Sequence, residues 1–146
     1  MKIGLASDHR GYKLKEYLKK QLVNEYEILD FGTNDESSTD YPDYAFILGE
    51  AVVNKQVDFG VAICGSGIGI SIACNKVKGI RCAKVSNKEE AAITRIDNNS
   101  NIVAFSEKMT EEEALDVVKT FIGTPASTEE KHVRRVNKII AYEAND

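Results

Sequence analysis

Cys64 stands directly ahead of glycines at positions 65, 67 and 69 in the run CGSGIGISIACNK. Glycine adds nothing to a core and loses backbone entropy on ordering, so three of them at alternate positions mean that something approaches the backbone there. With no Cβ in the way, consecutive N–H groups at the start of a helix can point at one anionic atom. Cys64 ends a β-rich run and precedes that helix, where the partial positive charge of the N-terminus favours a thiolate. For Cys74 and Cys82 the inert reading, a small buried hydrophobe, is the better one. A dinucleotide fingerprint does not fit, because GxGxxG would need glycine where Ile70 stands and the loop follows the third strand instead of the first. A Walker A loop does not fit either, since no Gly-Lys-Ser/Thr closes it.

Other residues able to do chemistry fall at comparable places. Asp8 and His9, in SDHRG, are expected to begin the first helix, where an Asp by itself would be an ordinary N-cap. Tyr41 lies in TDYP after the second strand, and Ser106-Glu107-Lys108 follows the fifth. The second of the chain's two histidines, His132, sits in Lys131-His132-Val133-Arg134-Arg135. A solvated charged face and a functional contact are both compatible with that run.

Short β-rich runs alternate with longer helical ones, the pattern of repeated βα units and a parallel sheet. The expected strands are Lys2–Ala6, Tyr26–Phe31, Phe59–Cys64, Ile80–Lys84 and Asn101–Phe105. Leu14, Leu18 and Leu22 make the first helix amphipathic, with lysines on its other faces. Capping boxes at Ser86-x-x-Glu89, Thr110-x-x-Glu113 and Ser127-x-x-Glu130 predict three helix starts, and Gly123 before Pro125 stops the second of them. The last helix, from about Thr128 to Glu143, carries Val133, Val136, Ile139 and Ile140 on one stripe that must find an apolar surface. The expected architecture is a three-layer α/β/α Rossmann-like fold with a five-stranded parallel sheet and an extra C-terminal helix. In such a sheet ligands bind outside the carboxyl ends of the strands, which is where the residues above converge.

The 146 residues suit a single domain spanning 1–146. A net charge of −4 and the want of a basic stripe argue against nucleic acid as a partner. No apolar run approaches the ~20 residues that cross a bilayer, and the N-terminal apolar stretch is too short for a signal peptide. The expectation is a cytoplasmic protein without membrane contact. Three cysteines with no CxxC and no paired histidines argue against structural zinc or a disulfide framework.

SDHRGYKLK, TDYPDYA, CGSGIGISIACNK followed by GIRCA, DNNSNIVAF and HVRRV, in this order and over nearly the whole chain, resemble the B-type ribose-5-phosphate isomerases, whose relatives act on galactose 6-phosphate and allose 6-phosphate. The resemblance implies an aldose–ketose isomerase without metal or cofactor that interconverts ribose 5-phosphate and ribulose 5-phosphate through a cis-enediolate. It puts the proton-abstracting base at Cys64, a proton relay at Ser66, where threonine is usual, and the enediolate oxygen on the amides of Gly65, Ser66, Gly67, Ile68 and Gly69. Asp8, His9, Tyr41 and Asn98 match substrate contacts. Arg135, Lys131 and Lys108 match the phosphate end, the two lysines standing where arginine is common. It also implies a homodimer with shared sites, or a tetramer. The main departure is Asp97, where many members have the histidine that opens the sugar ring; we expect His132, with His9 as second choice, to take over that step and Asp97 to orient hydroxyls or a histidine. A six-carbon sugar phosphate as substrate, and a non-catalytic sugar-phosphate-binding regulator, are the alternatives.

Overall fold

The computed structural model describes residues 1–145. Five strands, β1 (Lys2–Ser7), β2 (Glu27–Asp30), β3 (Phe59–Cys64), β4 (Cys82–Lys84) and β5 (Ile102–Ser106), form one sheet in the order β2-β1-β3-β5-β4, every pair parallel. The helices are α1 (Tyr12–Leu22), α2 (Tyr41–Val53), α3 (Ile68–Cys74), α4 (Lys88–Asn98), α5 (Glu111–Gly123) and α6 (Glu130–Ala144). Strands lie within a residue or two of the expected bounds; the largest shift is in β4, which starts at Cys82, Ile80 instead packing as a buried side chain of the preceding loop.

Alternation along the central strands feeds two cores. Ile3, Leu5, Val61, Ile63, Val103 and Phe105 face α1, α4 and α5, while Ala6, Ala62, Cys64, Ile102 and Ala104 face α2 and α3. The small residues on the second face let α2 and α3 approach closely. Leu14, Leu18 and Leu22 are buried as their spacing predicts, each contributing about 1.5–3 kcal/mol. Lys15, expected on an outer face, is instead fully buried, its Nζ 2.6 Å from Asp30 and 2.8 Å from Glu16. Opposite charges from β2 and from its own helix replace the water it loses.

Three helix starts differ from expectation for one reason: the side chain best aimed at the free amides is not always the one in the motif. Asp8 and His9 do not begin α1; Asp8 Oδ1 accepts the amides of Arg10 (3.0 Å) and Gly11 (3.1 Å), making a turn that delays the helix to Tyr12. Asn87, not Ser86, caps α4, accepting the Glu90 amide at 2.9 Å while Glu90 reaches back to the Ser86 amide. Thr110 does cap α5. Ser127 Oγ accepts the Glu129 amide, and α6 starts only at Glu130, with no side-chain cap.

β1 and β3 are neighbours whose following helices, α1 and α3, lie on opposite faces of the sheet. That reversal opens a crevice at their carboxyl ends. Helix α6 packs beside α4 instead, and of its apolar stripe only Val136 is buried; Val133, Ile139 and Ile140 are exposed.

Candidate active site

The crevice between β1 and β3 opens into a cavity of about 760 Å³ lined by Asp8, His9, Arg10, Thr39, Asp40, Tyr41, Pro42, Asp43, Cys64, Gly65, Ser66, Ile68 and Gly69. Cys64 is the last residue of β3 and is 4% exposed. Its Sγ accepts the Gly67 amide at 3.2 Å. Gly67 sits at φ +78°, and a Cβ there would be 2.5 Å from the Phe105 carbonyl carbon, so this turn demands glycine twice over. A Cβ on Gly69 would strike the Tyr41 ring at 2.7 Å.

The glycine loop is less open than its sequence suggests. Its amides do not all converge on one external point: that of Gly67 bonds to Cys64 Sγ, and that of Ile68 to Ser66 Oγ at 3.1 Å. The first amides of α3 have no intrahelical acceptor, and that of Ile68 is the one given to Ser66. Ser106 Oγ donates to the Gly65 carbonyl at 2.7 Å and the Glu107 amide to the Cys64 carbonyl at 2.9 Å, tying the loop to the end of β5.

Asp8, 5% exposed, spends Oδ1 on two amides, and Oδ2 makes neither bond. His9 and Thr39 hold each other: the His9 amide donates to Thr39 Oγ1 at 3.0 Å, and the Thr39 amide donates to His9 Nδ1 at 3.2 Å. With Nδ1 an acceptor, the neutral ring carries its proton on Nε2, which becomes a hydrogen-bond donor. Tyr41, the first residue of α2, is partly exposed at the rim.

The other expected site residues lie elsewhere in the same chain. Asp97, near the end of α4, and His132, on α6, meet with Nε2 3.4 Å from Oδ1; they line a separate cleft of about 120 Å³ with Ile96, Ser127 and Val136. The His132 side chain is 17% exposed and that of Asp97 48%, so the carboxylate forms the outer end of the pair. His132 Nδ1 is buried without a hydrogen-bond partner. Asn98 Oδ1 accepts from Thr94 Oγ1 at 3.1 Å. Lys131 and Arg135 are exposed on α6, and Lys108 borders a cleft beside Lys84, Ser86 and Met109. α6 does not dock over the Cys64 cavity, so one chain divides the expected residues between two faces.

Arg10 and Thr39 are cavity residues that the sequence reading passed over. Both stand in strand-end loops where the sheet topology places a ligand, which gives them a place but no role; the pairing of Thr39 with His9, 30 residues away, has no local signal. Cys74 and Cys82 keep their inert reading: contact with the Cys74 thiol and burial push the Cys82 thiol well above its ordinary range. Among the described residues, no cluster of three or more His, Cys, Asp or Glu is placed to hold a metal, and no helix is long and apolar enough to cross a membrane.

The Ribose/Galactose Isomerase family model matches residues 3–139. The chain is 38% identical over 144 residues to Escherichia coli ribose-5-phosphate isomerase B, covering 97% of this chain and 96% of that one. Among solved structures it resembles Clostridium thermocellum ribose-5-phosphate isomerase B (TM-score 0.95, 43% identity, 99% of both chains). It also resembles the Mycoplasma genitalium ribose-5-phosphate isomerase B with bound ribulose-5-phosphate (TM-score 0.92, 36% identity, 99% of this chain and 97% of that one). With both its sequence and its fold matched over almost their full length, the chain belongs to the ribose/galactose isomerase family.

Proposed function

We infer that this single-domain protein is a type B ribose-5-phosphate isomerase, an aldose–ketose isomerase that interconverts ribose 5-phosphate and ribulose 5-phosphate. The observation that carries the reading is the buried Cys64 thiol, bonded to the Gly67 amide at 3.2 Å in a cavity shared with Asp8, His9 and Tyr41. Cys64 takes the proton from C2 of the open-chain aldose, and the electrons of that C–H bond form the enediolate double bond while charge moves to the C1 oxygen. Backbone amides at the start of α3 stabilise that oxygen, a contribution of about 3 kcal/mol per well-aimed donor. Ser66 relays a proton between the two oxygens, and the thiol returns its proton to C1. No electrons leave the substrate, so the reaction needs no redox partner.

Asp8 binds sugar hydroxyls, and His9 donates through Nε2. Ring opening falls to the Asp97–His132 pair, and phosphate binding to Arg135, Lys131 and Lys108. The groups on α4 and α6 serve a cavity other than their own chain's: α6 presents Val133, Ile139 and Ile140 to solvent on the same segment as His132 and Arg135, whereas Lys108 follows β5. A homodimer that covers this stripe would bring α4 and α6 of one subunit to the Cys64 cavity of the other, and a tetramer of such dimers is the larger assembly in view. The proposed location is the cytoplasm.

The test is an activity screen over five- and six-carbon aldose phosphates, with ketose formation read directly. Turnover highest on ribose 5-phosphate is the expected result. Preference for galactose 6-phosphate or allose 6-phosphate would move the protein to the other branch of its family, and binding without turnover would make it a regulator.

A further inference from the structure

We propose that Arg10 is the phosphate-binding cation that each subunit supplies to its own Cys64 cavity, an assignment that rests on the sugar-phosphate reading above. Among the described residues lining that cavity, Arg10 alone is a lysine or arginine, and it stands among the carboxylates of Asp8, Asp40 and Asp43. A phosphate monoester carries a charge of about −1.5 to −2 at neutral pH, so a cavity with three acidic side chains would repel it without a fixed cation. The three cations expected from the sequence do not meet this need within one chain, since Lys108, Lys131 and Arg135 all lie outside the cavity lining.

The position of the guanidinium suits the task. It lies across Gly65, where a Cβ would come within 3.4 Å of Arg10 Cζ and 3.5 Å of Nη1. Nη2 is 3.2 Å from Glu107 Oε1, and the Glu107 amide is itself anchored on the Cys64 carbonyl. Arg10 thus bridges from the β1–α1 loop to the β5–α5 loop beside the glycine loop, while the sulfur accepts the Gly67 amide. Tyr41 abuts Gly69, so the glycine loop carries a guanidinium at one end and an aromatic ring at the other. A pentose that reacts at C1 and C2 and carries phosphate on C5 likewise has one charged end. Glu107 limits the rotamers of Arg10 while leaving most of its five N–H donors to meet phosphate oxygens.

The experiment compares wild type with Arg10→Ala and Arg10→Lys in two assays: binding of inorganic phosphate by calorimetry, and steady-state kinetics on ribose 5-phosphate and on unphosphorylated ribose. Arg10→Ala should weaken inorganic phosphate and raise KM for ribose 5-phosphate by about 30-fold each, the size of a lost charge-assisted contact. The kcat/KM ratio of ribose 5-phosphate over ribose should fall by a similar factor, and lysine should restore part of the loss because it keeps the charge without the fork. Unchanged phosphate affinity in Arg10→Ala overturns the assignment. So does a fall in kcat at constant KM that is equal for both sugars, because Arg10 would then act at the thiol end. Wild-type protein that turns over no sugar phosphate overturns the functional reading instead, and the inorganic phosphate measurement still decides the case of Arg10.

Discussion

At the scale of single residues, the proposed reaction turns on one thiol and on one departure from the family pattern. Cys64 is the only cysteine in the cavity lining, so Cys64→Ala should abolish proton exchange at C2 while leaving phosphate binding nearly intact. Solvent-isotope exchange followed by NMR measures this; exchange within about tenfold of wild type, or 1.4 kcal/mol, would move the base elsewhere, with Asp8 next in line. The departure is Asp97, which the fold places 3.4 Å from His132. A carboxylate is a poor acid at neutral pH, whereas an imidazole titrates near it, and on this ground the proposed proton source is the histidine, with Asp97 to orient it. Asp97→Asn should lower the rate about tenfold, or ~1.4 kcal/mol, and His132→Ala should slow furanose substrates far more than an analogue that cannot cyclise. Wild-type rates in both His9→Ala and His132→Ala, beside an inactive Asp97→Asn, would make the carboxyl group the acid.

At the scale of elements, α1 is held to β2 by a buried charge cluster. Burial opposes ionisation of Asp30, but the hydrogen bonds from Lys15 and the Gly32 amide and the Lys15 charge outweigh it and hold the carboxyl below the usual carboxylate range. A carboxyl with a depressed folded-state pKa contributes stability above its unfolded value and loses it as pH falls through the folded one. Wild type should therefore lose stability in this cluster below about pH 4. Asp30→Asn should cost about 3 kcal/mol near neutral pH, since it leaves Lys15 buried with Glu16 alone, and should flatten the acid limb. Urea denaturation at several pH values measures both; a variant whose acid limb matches wild type would show that other carboxylates dominate. The capping motifs carry a related lesson. Ser86 and Ser127 sit in well-spaced boxes, yet Asn87 caps α4 and α6 has no side-chain cap, because spacing identifies a helix start only to within a residue or two.

At the scale of the whole molecule, the separation of Cys64 from His132 and Arg135 is what the shared-site proposal answers. If cavities are completed across a dimer, mixing Cys64→Ala with Arg135→Ala subunits should restore activity, because in one of the two hybrid sites an intact thiol meets an intact arginine. Random pairing leaves half of the dimers mixed, each with one sound site, so about a quarter of wild-type activity is the expected ceiling. Sedimentation showing an active species of 16.1 kDa would overturn the shared-site proposal.

The amino-acid sequence by itself determined the order of strands and helices, the place of Asp8, His9, Tyr41 and Cys64 at strand ends, and the glycine turn that presents the thiol. These are properties of consecutive residues: period, turn chemistry, and the φ of +78° that only glycine adopts without strain at position 67. Family resemblance extended that reading to the reaction. Tertiary structure decided the strand order β2-β1-β3-β5-β4, the pairing of His9 with Thr39, the reach of Glu107 to Arg10, and the docking of α6 beside α4 with Asp97 against His132. Each of these joins residues distant in the chain through complementary surfaces that exist only once the sheet is assembled, and no local pattern encodes which surfaces will meet.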